Sequence, residues 1–148
     1  MPAKTKATGK KQEFESAFQG LRKILRPYDK KLRVIKDGPS DYMSESKSIR
    51  YLGKPVMFAA ITSKSYVAFH LFPVYMFPDL LKGISPELKK RMQGKTCWNS
   101  KKVEESLFAE LAELVDASFR RFAEFGERDL SREDAQALWG KAKSKKNL

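Results

Sequence analysis

At 148 residues the chain is one domain's worth of sequence, long enough to bury roughly two-thirds of its unfolded surface without disulfide or metal staples. One cysteine, Cys97, excludes an internal disulfide and suits a reducing compartment, so a cytoplasmic protein is expected; one histidine, His70, makes a histidine-based metal site poor. The net charge of +12 gathers at the ends, where Lys4, Lys6, Lys10, Lys11, Lys141, Lys143, Lys145 and Lys146 have no acidic neighbour, so residues 1–11 and 141–148 read as unfolded basic tails. These are solubilising ends, or two arms that touch phosphate or an anionic surface.

The first helix is marked by Phe14, Ala17, Phe18, Leu21, Ile24, Leu25 and Tyr28 at three- and four-residue steps, with Pro27 ending it. Leu32-Arg33-Val34-Ile35 predicts a short strand closed by Asp37-Gly38-Pro39. Residues 42–48 are polar, strand or loop, and residues 49–52 form a short strand before Gly53. Residues 55–62 and 66–72 are β-rich runs with little charge, joined by Thr62-Ser63-Lys64-Ser65 as a central hairpin. Both runs are apolar on both faces, which argues for a central position with helices over one face, and also fits a homodimer through the sheet.

Residues 78–83 read as one helical turn. A better helix follows, with Ser85 as N-cap, Pro86 in first position and Gly94 at its C-terminal end, then residues 96–99 as an edge strand. The longest helix spans residues 101–125, with Val103, Leu107, Leu111, Leu114, Val115, Phe119 and Phe122 as its stripe and Gly126 as its stop. Ser131 with Asp134 is a capping-box pattern, opening a short helix within 127–140 that Leu138 and Trp139 dock. The fold class is α+β: an antiparallel β-sheet with the N-terminal and long C-terminal helices packed on one face, its body spanning 12–126.

The segment "FHLFPVYMFPDLLKGISPELKKRMQGKTCWNSKK" resembles the YdhG-like family of small bacterial proteins, largely a domain of unknown function, as do "YLGKPVMFAAITSKSYVAF" and "FQGLRKILRPYDKKLRV". The resemblance covers roughly residues 14–125. It implies a fold similar to frataxin, and one branch of the family is linked to iron delivery. The frataxin-like acidic ridge is not matched here, since the first helix sets Glu13 and Glu15 against Arg22, Lys23 and Arg26. No cofactor and no metal ligand set is expected.

The remaining charge is sectored. Lys82, Lys89, Lys90, Arg91, Lys95, Lys101 and Lys102 face one acid, Glu87, and form a candidate anion or phosphate patch or else a solvated helix face. Glu104, Glu105, Glu110, Glu113 and Asp116 read as a solvated face of the long helix. His70 lies on the strand face of Tyr66, Ala68 and Phe72. With Tyr75, Lys95 and Trp98 it makes a candidate ligand groove over the sheet, bounded by residues 72–77 and 95–99; packed core histidine is the plainer reading. Cys97 reads as a structural cysteine, or as a thiol lowered by Lys95 two residues away. Tyr42, Tyr51, Phe72, Tyr75, Phe77 and Trp98 supply aromatics for a single-strand stacking platform, without any motif of the common RNA-binding modules. The function expected is a non-enzymatic binding or adaptor domain whose partner is a small molecule or protein. The alternative is nucleic-acid or anionic-surface binding through the tails and the 82–102 patch.

Overall fold

The computed structural model describes residues 5–140, with side chains described for 11–138. The tail 141–148, residues 1–4 and the Trp139 side chain lie outside the described residues. The chain runs α1 (Thr5–Leu25), a 3₁₀ helix (Arg26–Lys31), β1 (Leu32–Asp37), β2 (Asp41–Tyr51), β3 (Lys54–Ser63), β4 (Val67–Leu71), α2 (Pro73–Met76), a 3₁₀ turn (Pro78–Leu81), α3 (Pro86–Lys90), β5 (Met92–Gln93), β6 (Cys97–Ser100), α4 (Glu105–Phe125), β7 (Arg128–Leu130) and α5 (Arg132–Ala135), the last continuing as a π turn (Gln136–Gly140). This is the expected α+β architecture. The seven strands form one sheet in the order β1-β2-β3-β4-β6-β5, antiparallel throughout, with β7 added parallel to β2.

Cross-strand partners share a face, so the register sorts the side chains. Tyr42, Ile61, Phe69 and Trp98 form one row across β2, β3, β4 and β6, each no more than 1% exposed. α1 and α4 pack on this face and on each other. Phe58 meets Phe119 and Phe122 of α4 edge-on, at 6.0 and 5.6 Å between centroids. The two helices come close at Gly20, where a Cβ would stand 3.0 Å from the Phe108 ring. α2 and α3 touch α4 in the same layer.

Several local expectations change. The helix starts at Thr5, so part of the stretch expected to stay unfolded over 1–11 is helical; Lys6, Ala7, Lys10, Lys11 and Gln12 are good helix formers and extend a helix that packing downstream has already nucleated. Residues 41–51 are one strand interrupted by a bulge, because the Ser46 hydroxyl accepts hydrogen bonds from the Ser48 and Ile49 amides at 3.1 and 3.0 Å. Ser85 caps α3 as expected, its hydroxyl accepting from the Leu88 amide, but that helix closes at Arg91. Gly94, at φ +79°, instead serves the β5–β6 connection, and β6 is covered by β5 and is not the edge. The long helix starts at Glu105, leaving Lys101, Lys102 and Val103 outside it. Residues 127–140 are not helix alone. β7 precedes the Ser131–Asp134 capping box and reaches the β2–β3 turn, where Asp129 accepts from the Gly53 amide at 2.9 Å.

Arg22 is the largest departure from an apolar core. It lies on the inner face of α1 only 2% exposed, at the spacing of Phe18 and Leu25. Its guanidinium donates to Asp37 through Nε and Nη2, both at 3.0 Å, and to Asp29 through Nη1 and Nη2 at 3.1 and 2.7 Å, with Tyr42 beneath it at 4.2 Å. Its hydrogen bonds to Arg22 hold the Asp37 carboxyl below the usual carboxylate range, against the opposing effect of burial.

Two predictions follow from this geometry. Arg22→Met leaves Asp29 and Asp37 facing each other unpaired and should cost about 2–4 kcal/mol in urea unfolding, the partial exposure of both carboxylates softening the loss. Because the folded value of Asp37 is depressed, its contribution is complete above the ordinary carboxylate value and is lost as pH falls through the folded one. The acid limb of the stability curve should therefore be shallower in Arg22→Met, and an unchanged limb would contradict the assignment. At the β2–β3 turn, Leu52 is held at φ 50° while half exposed. Leu52→Asn should raise stability by up to about 1 kcal/mol, since asparagine tolerates the left-handed region better; a lower urea midpoint would count against strain there.

Candidate functional site

The side of the sheet away from α1 and α4 carries the alternate residues of the same strands. His70 of β4 stands directly opposite Cys97 of β6, and Ala68 directly opposite Asn99. On the other side of β4, Ala60 pairs with His70 and Thr62 with Ala68. Thr62, Ala68, His70, Cys97 and Asn99, together with Lys64, Ser65, Tyr66 and Gln93, line a cleft of about 300 Å³. His70 on the face of Tyr66 and Ala68 is thus as the alternation predicted.

At the cleft floor the Cys97 Sγ lies 3.8 Å from His70 Nε2 and 3.5 Å from Asn99 Oδ1. Burial pushes the Cys97 thiol up and the His70 imidazole down. The two effects act in one direction, disfavouring thiolate and imidazolium alike, so the pair rests as neutral thiol and neutral imidazole. Its chemistry is that of a hydrogen-bonding surface more than of an ion-pair nucleophile. The alternative of a thiol lowered by Lys95 does not hold: Lys95 precedes β6, and its Nζ lies over the Tyr75 ring at 5.6 Å.

The four residues expected to converge therefore separate. Tyr75 and Lys95 meet, with Phe72 stacked on Tyr75 at 5.6 Å. His70 stands with Cys97 and Asn99. Trp98 is on the opposite face, 1% exposed against Phe69, because neighbouring strand residues point to opposite sides and its partner is Phe69 rather than His70. The aromatic platform is likewise broken up, since Tyr42, Phe77 and Trp98 are all buried in the core.

A second cleft, of about 370 Å³, is lined by Tyr66, Arg91, Asn99, Ser100, Lys101, Lys102 and Glu104. It gathers three of the seven residues of the expected anion patch, Arg91, Lys101 and Lys102. Lys89 and Lys90 stay exposed on α3 and Lys95 stays with Tyr75. Arg91 is neutralised by an ion pair with Glu104, whose second oxygen, Oε2, is buried without a hydrogen-bond partner.

The acidic face of the long helix is not uniformly solvated. Glu110 accepts from the Ser85 amide and hydroxyl, so it anchors the cap of α3, and Asp116 accepts from the Tyr28 hydroxyl at 3.0 Å. Burial together with that bond pushes the Tyr28 phenol up to about 12. Among the described residues, no group of three or more histidine, cysteine, aspartate and glutamate side chains is placed to hold a metal ion, and no helix is long and apolar enough to cross a membrane.

No family model, curated protein or solved structure matches the chain.

The sign of the His70 shift gives a test. Its folded value is below the ordinary 6.5, so between the two values the unfolded chain binds more protons than the folded one. Stability should rise with pH across that window and level off above it, and His70→Gln should flatten the rise in urea midpoints. The chain has one histidine, so a single Cε1 proton resonance reports the value directly; a midpoint at or above 6.5 would remove the argument.

Proposed function

We propose that the chain is a non-enzymatic binding domain of the YdhG-like type, acting inside the cell, which seats a small molecule on the open face of its sheet. One observation carries this reading: the outward residues Thr62, Ala68, His70, Cys97 and Asn99 form a cleft floor, while the helices are committed to the other face. A concave site with an aromatic side chain, Tyr66, and a few convergent polar groups is the usual form of a ligand site. The neutral thiol–imidazole pair supports recognition over catalysis, because both groups offer hydrogen bonds and neither is poised as a charged nucleophile. The free Cys97 fits a reducing interior.

The test is a thermal-shift screen of nucleosides, aromatic carboxylates, amino acids and sugars against the full chain and against Ala68→Arg. Ala68 points away from the core, so the arginine fills the cleft and leaves the Trp98 face untouched. Compounds that raise the melting temperature of the native chain should lose their effect on Ala68→Arg. Equal responses from both proteins would place binding elsewhere and overturn the reading.

A second reading, anionic-surface or nucleic-acid binding, is favoured by the gathering of Arg91, Lys101 and Lys102 around one cleft. It expects an oligonucleotide band shift that fades steeply with added salt. A shift that survives high salt, or none at low salt, would reject it.

A further inference from the structure

The two clefts share two wall residues, Tyr66 and Asn99, and so lie side by side. Taken singly, each volume sits near the lower end of the range of about 300–1,000 Å³ usual for small-molecule sites; joined, they fall within it. The chemistry changes along the joined cleft. One end carries Lys101 and Lys102, exposed and without an ion-pair or hydrogen-bond partner among the described residues, beside the Arg91–Glu104 pair. The other end is floored by neutral groups, His70, Cys97 and Asn99, with Thr62 and Gln93 at the sides and Lys64 also on its lining. At the junction stands the Tyr66 ring, 42% exposed, a large aromatic surface that the fold leaves in water.

We propose that the joined clefts form one site for a nucleoside monophosphate, its phosphate at Lys101 and Lys102 and its base laid against Tyr66 toward His70 and Asn99. This rests on the reading of the open face as a ligand site and names the ligand class. Because Glu104 cancels Arg91, the end offers two uncompensated positive charges, which match the charge of about −1.5 to −2 on a phosphate monoester. Aromatic stacking accepts any base, while the neutral His70 nitrogen and the Asn99 amide give the base edge one acceptor and two donors to meet.

The experiment follows the His70 Cε1 resonance, the Asn99 side-chain amide and the Lys101 and Lys102 backbone amides of the isotopically labelled full chain at low salt. The probes are AMP, adenosine, inorganic phosphate and a short single-stranded oligonucleotide. AMP should move all three sets of signals. Adenosine should move His70 and Asn99 alone and bind about tenfold more weakly, and phosphate should move only the lysine amides. Lys101→Ala with Lys102→Ala should bring AMP down to the affinity of adenosine. Tyr66→Ala should weaken AMP and adenosine but leave phosphate unchanged. These side chains are exposed, so an otherwise unperturbed amide spectrum verifies that each variant folds.

AMP that binds no more tightly than phosphate, or that moves no signal at millimolar concentration, overturns the proposal. An oligonucleotide that outcompetes AMP in proportion to its length overturns it in favour of strand binding. If AMP fails while an unphosphorylated compound moves His70, the open-face reading stands and the phosphate half of the site falls.

Discussion

Arg22 sets the joint on which the sheet depends. An arginine 2% exposed is expensive to bury, and the cost is offset only when its donors are met and its plane is covered. Here two carboxylates take the guanidinium edge in paired hydrogen bonds, and the Tyr42 ring takes its face. Burial alone would weaken its hold on the proton; the bonds to Asp37 and Asp29 outweigh that and raise it. A lysine, as a point charge without a fork or a plane, cannot make both sets of contacts. The contacts come from the 3₁₀ helix, β1 and β2, so one side chain on α1 fixes how the helix enters the sheet and where Tyr42 lies.

From Tyr42 the constraint passes along the inner row. Tyr42, Ile61, Phe69 and Trp98 are adjacent across four strands, and slipping any strand by one residue would turn its apolar set outward. The same register dictates the outer face. Once Phe69 is opposite Trp98, His70 must be opposite Cys97, and Ala68 opposite Asn99. The cleft floor is in this sense the reverse side of the core. Packing of Phe58 against Phe119 and Phe122 stabilises a sheet whose outward groups needed no pairing of their own to be placed.

What could be read from the sequence was what is local. The stripes of α1 and α4, the Ser85 and Ser131 caps and the central hairpin all follow from spacing within a few residues. β5 and β7, of two and three residues, are too short to show alternation; β5 exists as the short arm of a hairpin with β6, and β7 only because the distant β2 offers it a partner. Arg22 was legible as a cation beside Glu13 and Glu15, yet its spacing with Phe18 and Leu25 already put it on the buried face; that its partners were Asp29 and Asp37 required the fold. The ligand groove was half legible. Alternation gives the face of His70 correctly, but its partner on β6 depends on a register that no local pattern states, and that partner is Cys97 rather than the expected Trp98.

Depth divides the labour of the open face. At the floor, burial drives both His70 and Cys97 toward their neutral forms, so what they offer is directional hydrogen bonding, little screened by salt. At the rim, Lys101 and Lys102 stand exposed to water, where attraction acts over roughly a Debye length of about 8 Å and fades as salt is added. In the proposed site, charge at the rim would speed capture and shape at the floor would set which molecule stays. Tyr66 and Asn99 belong to both regions, so a ligand that engages only one leaves the other solvated and gains only part of the available contact. If the open face is the ligand site proposed above, its arrangement would favour molecules with an anionic group at one end and a flat, neutral hydrogen-bonding body at the other.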